Sequence, residues 1–261
     1  METILDRILE EKRCEVAEQK KTVMLGQLKD SQFYSRRRLS MSRALAQAAP
    51  AGIIAEFKRK SPSKGFIKES ADVGEIVSGY ARAGAAACSV LTDRAFFAGG
   101  AEDLLAARRA VEIPLLRKDF VVDGYQLHQA AAWGADAVLL IAAALKKGQC
   151  RELASQAQEL GLEVLLEVHG EDELEYVSPE VNMVGVNNRN LKTFHTDVAV
   201  SLQLAGMMPA GVVRVSESGI DDPGTVSRLK QAGYDGFLIG ERFMREPDPG
   251  MELKDFLYHV G

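Results

Sequence analysis

Cysteine, tryptophan and histidine are scarce in this sequence, whose 261 residues include three cysteines, one tryptophan and four histidines. The cysteines Cys14, Cys88 and Cys150 are odd in number and lack Cys-x-x-Cys spacing, which argues against a disulfide scaffold and predicts free thiols in a reducing compartment. The histidines show no spacing that is typical of a metal site. We therefore predict no metal and no other cofactor.

A surplus of positive charge and a long apolar run are also missing. The chain has 32 basic and 37 acidic residues and a net charge of −5, which argues against nucleic-acid or acidic-membrane partners. No apolar stretch reaches the roughly 20 residues that span a bilayer, and residues 1–7 do not resemble a signal peptide. We expect a cytoplasmic protein, and we interpret the run Arg36-Arg37-Arg38 as solvated.

The sequence does contain a regular alternation of short apolar runs with helical stretches. Helical spacing of apolar residues covers residues 2–20 and about 41–48, ahead of the first strand. The strand candidates that follow are Ile53 to Phe57, Ala87 to Leu91, Ile113 to Arg117, Ala137 to Ile141, Glu163 to Glu167, Met183 to Val186, Val212 to Val215 and Gly236 to Ile239. The connections are long enough for crossover helices, so we predict parallel strands.

Two architectures suit such a series of parallel strands. An open doubly wound sheet usually carries a glycine-rich fingerprint after its first strand, whereas this chain has Lys58 to Lys60 there. We therefore predict an α/β fold, a (β/α)₈ TIM barrel with an N-terminal helical extension. Residues 1–261 should form a single domain, with the extension over 1–50 and the barrel over 51–261. Active sites of such barrels lie at the carboxyl ends of the strands.

The first strand carries charge where a buried strand is usually apolar. Side chains two positions apart in a strand share a face, so Glu56 and Lys58 point the same way as Ile54. Desolvated charge is costly unless it is paired, so a purely structural role explains these residues poorly. A catalytic pocket explains them better.

Polar residues follow other strands at the same predicted end. They are Arg117, Lys118 and Asp119 after the third strand, Glu167 at the end of the fifth, Asn187, Asn188 and Arg189 after the sixth, and Ser216, Glu217, Ser218 and Gly219 after the seventh. Any one of them could belong to a structural salt bridge. Their joint position at one rim predicts an active site.

The last two strands also carry a signal for anion binding. Gly219 and Gly240 stand just past them, where backbone N–H groups can approach a phosphate. Ser218-Gly219 with the two aspartates that follow also fits a helix cap, and both interpretations stay open. Ser61 could provide a third wall for the same anion.

Three phenylalanines add apolar surface at this rim. Phe96 and Phe97 follow the second strand, and Phe120 follows the third. Aromatic residues at a rim ordinarily pack against a neighbouring loop, but here they could hold a flat aromatic substrate by stacking.

These motifs occur in the order that is found in a known family. The matching segments are Ile54 to Ser63, Ser89 to Asp93, Phe97 to Gly100, Pro114 to Phe120, Leu165 to His169, Gly185 to Leu191, Ser216 to Ile220 and Leu238 to Glu241. The chain resembles indole-3-glycerol phosphate synthase of tryptophan biosynthesis from the first strand to the last.

The resemblance implies a phosphorylated aromatic substrate, carboxyphenylamino-deoxyribulose phosphate, which becomes indole-3-glycerol phosphate with loss of carbon dioxide and water. It implies that Lys118 is the general acid for the carbonyl oxygen. Glu167 would be its partner in proton transfer and would stabilise the cation that develops on the anilino nitrogen. Glu56 and Lys58 would assist the later dehydration and position the substrate carboxylate.

The resemblance also implies a set of binding groups. These are Asn187 and Arg189 for substrate positioning, Ser218 near the reacting centre, Glu217 in the substrate site, Ser61, Gly219, Gly240 and the N–H of Glu241 for phosphate, and Phe97 and Phe120 around the aromatic ring. Some members have Ser in place of Glu241, and since a carboxylate repels phosphate we expect only its backbone to help. Lys58 should lower the pKa of Lys118, and Glu56 and Glu167 should oppose that shift, so we expect coupled titration.

Two alternative functions remain at this point. Phosphoribosylanthranilate isomerase is also a barrel with a phosphate site, but it relies on a Cys and Asp pair and lacks both the Lys-rich first strand and the extension. A barrel that only binds a phosphorylated metabolite leaves Lys118 and Glu167 unexplained. We expect a small-molecule substrate as the partner, and a monomer or weak homodimer.

Overall fold

The computed structural model describes residues 3–191 and 193–260. Its α-helices are α1 (Ile4–Thr22), α2 (Leu25–Lys29), α3 (Met41–Gln47), α4 (Val73–Ala83), α5 (Arg94–Phe97), α6 (Ala101–Ala110), α7 (Gly124–Trp133), α8 (Lys147–Glu159), α9 (Ala199–Leu204), α10 (Pro223–Gln231), α11 (Glu241–Met244) and α12 (Pro249–Tyr258). Its strands are β1 (Gly52–Phe57), β2 (Lys60–Ser61), β3 (Gly65–Phe66), β4 (Ala87–Leu91), β5 (Leu115–Lys118), β6 (Ala137–Ile141), β7 (Glu163–Val168), β8 (Met183–Asn187), β9 (Val213–Glu217) and β10 (Gly236–Ile239). Short 3₁₀ helices cover Ala142–Ala144 and Glu171–Tyr176.

The parallel strands close into a barrel in the order β1-β10-β9-β8-β7-β6-β5-β4, and β4 pairs back onto β1. The short strands β2 and β3 form a separate antiparallel ribbon in the loop that follows β1. The predicted (β/α)₈ barrel is confirmed, and each predicted strand corresponds to one strand of the barrel.

Several barrel strands end later than the apolar runs that predicted them. Strand β5 covers Leu115–Lys118, and β9 covers Val213–Glu217. Backbone pairing continues into polar residues, as in the register pair of Asn187 with Glu217. Main-chain hydrogen bonding does not depend on side-chain polarity, so polar residues of the rim belong to the strands themselves.

Side chains of the barrel strands alternate between two separate cores. The strand residues of the lumen core are Ile54, Ala87, Leu116, Ala137, Leu139, Ile141, Leu165, Met183, Val215 and Leu238. Outward residues such as Ile53 and Phe57 belong to a larger core that they share with the helices. Met41 and Leu45 of α3 join the lumen core, and a Cβ at Gly236 would lie 3.1 Å from Leu45 Cδ1. Helix α3 therefore closes the lumen where the strands begin.

Helix α1 lies across the opposite end of the barrel. Its residues Leu5 and Ile8 line the cavity at the carboxyl ends of the strands. The ammonium of Lys12 is buried and lies 3.0 Å from a carboxylate oxygen of Asp93 and 3.0 Å from one of Asp119. A buried charge with these partners fastens the extension to the loops that follow β4 and β5.

The extension also makes contacts that the sequence pattern did not indicate. The helix predicted over residues 2–20 corresponds to α1, and its first predicted residue, Glu2, lies outside the described residues. The interpretation of the arginine run as solvated is wrong for Arg36 and Arg38. Arg36 pairs with the buried carboxylate of Asp136, and Arg38 donates a hydrogen bond to the carbonyl oxygen of Tyr34 at 2.6 Å.

The scarce residue types behave simply in the described part of the chain. Cys14, Cys88 and Cys150 are free thiols, as predicted. Within residues 3–191 and 193–260, no helix is both long and apolar enough to cross a membrane. The same residues contain no group of three or more His, Cys, Asp or Glu side chains that could hold a metal ion.

Candidate active site

A cavity of about 360 Å³ opens at the carboxyl ends of the barrel strands. Its lining includes all the residues to which the family resemblance assigned a role: Glu56, Lys58, Ser61, Phe97, Lys118, Phe120, Glu167, Asn187, Arg189, Glu217, Ser218, Gly219, Gly240 and Glu241. The structure thus brings these residues together, while their individual roles stay predictions. Other residues of the predicted rim do not line the cavity, namely Phe96, Arg117, Asn188 and Ser216. Other lining residues carried no signal for the site in the sequence pattern, among them Ile4, Leu5, Ile8, Lys64 and Arg245.

Four of the charged side chains enter from the barrel strands. Glu56, Lys118, Glu167 and Glu217 stand at or near the ends of β1, β5, β7 and β9. Each follows a lumen residue by two positions, and these lumen residues are Ile54, Leu116, Leu165 and Val215. The strand period therefore places a charged layer directly above the apolar layer of the lumen.

Lysine and glutamate side chains pair closely in this layer. The Lys118 ammonium lies 3.5 Å from Glu167 Oε2 and 3.7 Å from Glu217 Oε2. The Lys58 ammonium lies 2.6 Å from Glu56 Oε1. Three carboxylates thus share two ammonium groups in a space with little access to solvent.

The balance of charge raises the pKa of Lys118 above its ordinary value. Burial alone would lower this pKa, but the attraction of Glu167, then Glu217 and Glu56, outweighs burial. Of the opposing influences that were expected on Lys118, the carboxylates decide the net direction of the pKa shift. Lys118 is therefore protonated at neutral pH.

The two carboxyl groups next to Lys118 differ in their protonation. Burial would raise the pKa of Glu167, but Lys118, His169 and Asn187 together lower it to about 2. Burial raises the pKa of Glu217 to about 7, where the repulsion of Glu167 and Glu56 adds to burial and Lys118 only partly offsets it. One carboxyl is a permanent anion, and the other can exchange a proton near neutral pH.

Two glycines make room for the buried carboxyl groups. A Cβ at Gly185 would lie 2.2 Å from Glu217 Oε1, and a Cβ at Gly240 would lie 2.6 Å from Glu56 Oε1. From the sequence, Gly240 is expected only to let backbone N–H groups approach a phosphate. The structure gives it a second reason, because any side chain at Gly240 would displace Glu56.

Asn187 and Arg189 extend the polar network from β8. The Asn187 side-chain amide donates to Glu167 Oε1 at 3.1 Å, and its carbonyl oxygen accepts from the Arg189 N–H at 3.0 Å. Asn187 therefore fixes one oxygen of Glu167 and leaves the other facing Lys118. The Arg189 guanidinium lies 4.0 Å from the Glu241 carboxylate.

The helix cap expected from Ser218-Gly219 with Asp221 and Asp222 is formed by Asp222, and the Ser218-Gly219 turn lies ahead of it. Ser218 and Gly219 have φ angles of 67° and 71°, and Asp222 caps α10 by accepting from the Thr225 N–H. Asn188 holds the turn by donating to the Ser218 carbonyl oxygen at 3.0 Å. Consecutive residues in the left-handed region form a bend that suits the approach of backbone N–H groups to an anion.

Cationic side chains surround Glu241 at the start of α11. The Lys64 ammonium lies 2.5 Å from Glu241 Oε1, and Arg245 also pairs with this carboxylate. Burial would raise the pKa of Glu241, but Lys64, Arg245 and Lys58 lower it. The repulsion expected between Glu241 and a phosphate is thus partly neutralised. Nearby, the buried Ser61 Oγ has no hydrogen-bond partner among the described residues.

Apolar side chains form another part of the cavity wall. The rings of Phe97 and Phe120 have centroids 6.1 Å apart with an interplanar angle of 37°. Leu139 and Ile141 of β6 and Ile8 of α1 also line the cavity. This wall can accept a flat aromatic ring.

Some polar residues of the predicted rim face away from the cavity. Arg117 points outward, where it donates to Thr92 Oγ1 at 3.1 Å and packs its guanidinium 4.3 Å from the Trp133 ring centroid. Asp119, which does line the cavity, accepts from Arg117 at 2.9 Å. Strand alternation separates Arg117 from Lys118, so only Lys118 of the two reaches the cavity.

Comparison with known proteins identifies the family. The family model for indole-3-glycerol phosphate synthase matches residues 5–256. The indole-3-glycerol phosphate synthase of Bacteroides thetaiotaomicron is 55% identical over 257 residues, which are 98% of each chain. That of Salinibacter ruber is 47% identical over 254 residues, which cover 96% of this chain and 94% of the relative.

A solved structure gives independent support for the fold. A chain of the tryptophan synthase complex from Pyrococcus furiosus superposes with a TM-score of 0.59 at 14% sequence identity, covering 80% of this chain and 97% of that chain. At this identity the likeness concerns the fold alone.

The closed barrel and the buried lysine and carboxylate cluster at its mouth define a (β/α)₈-barrel enzyme. The match over nearly the whole length makes the assignment specific. The chain belongs to the indole-3-glycerol phosphate synthase family, the decarboxylating lyases of tryptophan biosynthesis. This sets aside the isomerase alternative, and none of the three cysteines is among the described residues that line the cavity.

Proposed function

We propose that Lys118 is the general acid in the conversion of carboxyphenylamino-deoxyribulose phosphate to indole-3-glycerol phosphate in this cavity. The main support is the position of its ammonium, 3.5 Å from Glu167 and 3.7 Å from Glu217 in a buried cluster. Because the carboxylates keep this ammonium protonated, it can donate a proton when the carbonyl oxygen of the substrate becomes negative.

Ring closure joins the aromatic carbon that bears the carboxylate to the ketose carbon. The carbonyl oxygen takes the proton of Lys118 as this bond forms, and the anilino nitrogen becomes positive. The ionised carboxylate of Glu167 stabilises that cation. Carbon dioxide then leaves, and the electron pair of the broken carbon–carbon bond returns to the ring.

Dehydration completes the reaction. The new hydroxyl group leaves as water after it receives a proton, and the carbon next to the nitrogen loses a proton. We assign the acid to the close pair of Lys58 and Glu56, 2.6 Å apart. We assign the exchange of the second proton to Glu217, since its pKa of about 7 suits a group that both accepts and releases protons at neutral pH.

The three kinds of surface in the cavity suit the three parts of this substrate. Phe97 and Phe120 would hold the aromatic ring, and the charged layer would face the ketose carbon. The phosphate would bind Ser61, Gly219, Gly240 and the N–H of Glu241, with Arg189 nearby. The free Oγ of Ser61 supports this placement, because a buried hydroxyl group normally has a partner.

An assay with the purified chain and no added cofactor tests the proposal. Addition of the carboxyphenylamino substrate should produce indole fluorescence, and Glu167→Gln should reduce kcat strongly while substrate still binds. Substrate binding without product, in a folded protein, would contradict the proposal.

The cavity also supports a proposal on assembly. We propose a monomer or weak homodimer, since one copy by itself supplies an acid–base cluster, an apolar wall and candidate phosphate-binding groups around the cavity. Light scattering after size exclusion, with specific activity measured across a range of protein concentrations, tests this. Activity that disappears on dilution would contradict it.

A further inference from the structure

His169 lies behind the charged layer and contacts the carboxylate of Glu167. It directly follows β7, and its Nε2 lies 3.3 Å from Glu167 Oε1. On the other side, Glu173 of the 3₁₀ helix after β7 lies 3.3 Å from Nδ1 and accepts from the His169 N–H at 2.7 Å. The His169 side chain is largely buried, so both contacts are only weakly screened.

The contact with Glu167 acts through charge. His169 Nε2 has no hydrogen-bond partner in the described structure, so the 3.3 Å approach to Glu167 lacks the alignment of a hydrogen bond. Burial would lower the pKa of the imidazole, but Glu167 and Glu173 raise it to about 10. His169 is therefore an imidazolium at neutral pH.

A line of alternating charge results. The line consists of the Glu173 carboxylate, the His169 imidazolium, the Glu167 carboxylate, the Lys118 ammonium and the titratable carboxyl of Glu217. The titratable and charged groups in and around this line come from five elements. They are Glu167 of β7 with His169 just after it, Glu173 of the 3₁₀ helix, Lys118 of β5, Glu217 of β9 and Glu56 of β1.

We propose that His169 is a positioning residue, whose imidazolium is fixed by Glu173 and acts on the reaction through Glu167 by stabilising and orienting its carboxylate. The inference rests on the proposed role of Glu167. Asn187 also contacts Glu167 Oε1 but brings no charge, so the two neighbours make different contributions. Together they occupy Oε1 and leave Oε2 to Lys118.

The test compares variants that separate charge from hydrogen bonding. His169→Gln keeps an N–H donor but has no charge. His169→Asn also has no charge, and its shorter side chain brings the N–H donor less close to Glu167. Loss of the positive charge should make both carboxyl groups beside Lys118 harder to ionise. The upper titration step of this pair, which involves Glu217, should then move to higher pH by roughly 1 unit.

Two measurements report that step in the full chain. The first is a ¹³C NMR titration of carboxyl-labelled protein, with Glu217→Gln used to assign the signal. The second is the pH profile of kcat/KM, in which the limb that reports the same titration should also shift by roughly 1 pH unit. At a pH on the sloping part of that limb, this shift corresponds to a change of about tenfold in kcat/KM. Glu173→Gln removes a negative charge while Glu167 still keeps the imidazole protonated, so it should shift both by less and to lower pH.

His128→Gln is the matched control, since His128 is also partly buried but contacts Tyr34 instead of the cavity. It should leave both profiles in place. If Glu167→Gln retains normal kcat, the proposed role of Glu167 fails. If Glu167→Gln loses activity while folded His169→Gln and Glu173→Gln leave the titration step where it was, the inference about His169 fails and the proposed function stands.

Discussion

Two adjacent layers of the barrel lumen have opposite chemistry although the same strands build both. The lower layer holds Ile54, Leu116, Leu165 and Val215 and is closed from below by Met41 and Leu45 of α3. The upper layer, two residues further along each strand, holds Glu56, Lys118, Glu167 and Glu217. The lower layer stabilises the fold by excluding water, whereas the upper layer places buried charge where a substrate can use it.

The difference shows that residues for stability and residues for catalysis can lie only two positions apart on the same barrel strand. A change in the lower layer should alter the free energy of unfolding and leave the chemistry nearly intact. A change in the upper layer should alter the chemistry and cost little stability, or even add some. Leu116 and Lys118 of β5 provide a matched pair for this comparison.

The largest effect is expected for Lys118→Met. If Lys118 is the general acid, as proposed, its loss should lower kcat by about 10³-fold or more, while the apolar stem still packs and substrate still binds. Stopped measurements of product and equilibrium binding of substrate check the two parts separately. A variant with nearly normal kcat would refute the role of Lys118.

Leu116→Ala should show the opposite pattern. Leu116 is fully buried beneath Lys118, and truncation should leave a cavity that lowers the free energy of unfolding by about 2–5 kcal/mol. Because no group of the upper layer is removed, kcat of the folded fraction should stay within about threefold of the native value. Urea unfolding measures the free energy of unfolding, and the assay at low temperature measures kcat. A free energy of unfolding equal to that of the native chain would mean that the lower layer is not tightly packed.

Glu217→Gln should lose activity yet gain stability at high pH. The folded pKa of Glu217, about 7, exceeds its ordinary value of 4.5, so the folded state binds more protons between these values and the free energy of unfolding falls as pH rises through that range. Gln carries no such charge, so the variant should be more stable than the native chain at pH 8 by on the order of 2 kcal/mol. Near pH 4 this pH-linked part of the difference in unfolding free energy should be absent. If the two proteins differ by the same amount at pH 4 and pH 8, the pKa of Glu217 is not raised in the folded state.

The smallest effect is expected at the wall that α1 adds above the charged layer. Leu5 lines the cavity without being fully buried, so Leu5→Ala should raise KM by about threefold and leave kcat and the melting temperature nearly unchanged. Arg13→Ala, on the exposed face of the same helix, is the control. A lowered kcat in Leu5→Ala would mean that α1 also affects the chemistry.

Most of the fold and much of the candidate site could be predicted from local pattern. Eight apolar runs with long connections indicated the barrel, and the period of two placed Ile54 and Glu56 on one face. The same rule, continued one residue past β7, would also have indicated His169. A lone histidine without metal spacing gave no signal of its own.

Other features needed distances between elements that are remote in sequence. The pairing of Arg36 with Asp136 and of Lys12 with Asp93 depends on how the extension lies on the barrel. The net direction of the pKa shift of Lys118 could not be predicted, because the sum of opposing charges requires their separations, and Coulomb energy varies with distance and burial.

The sequence by itself determined which residues point inward and at which end of each strand the charges stand, because side-chain alternation is a local property of an extended backbone. Only the tertiary structure decided which charges become partners, which carboxyl group keeps its proton, and that α1 covers the cavity. Those outcomes depend on distances of a few ångströms between separate strands, and the closure of the barrel sets those distances.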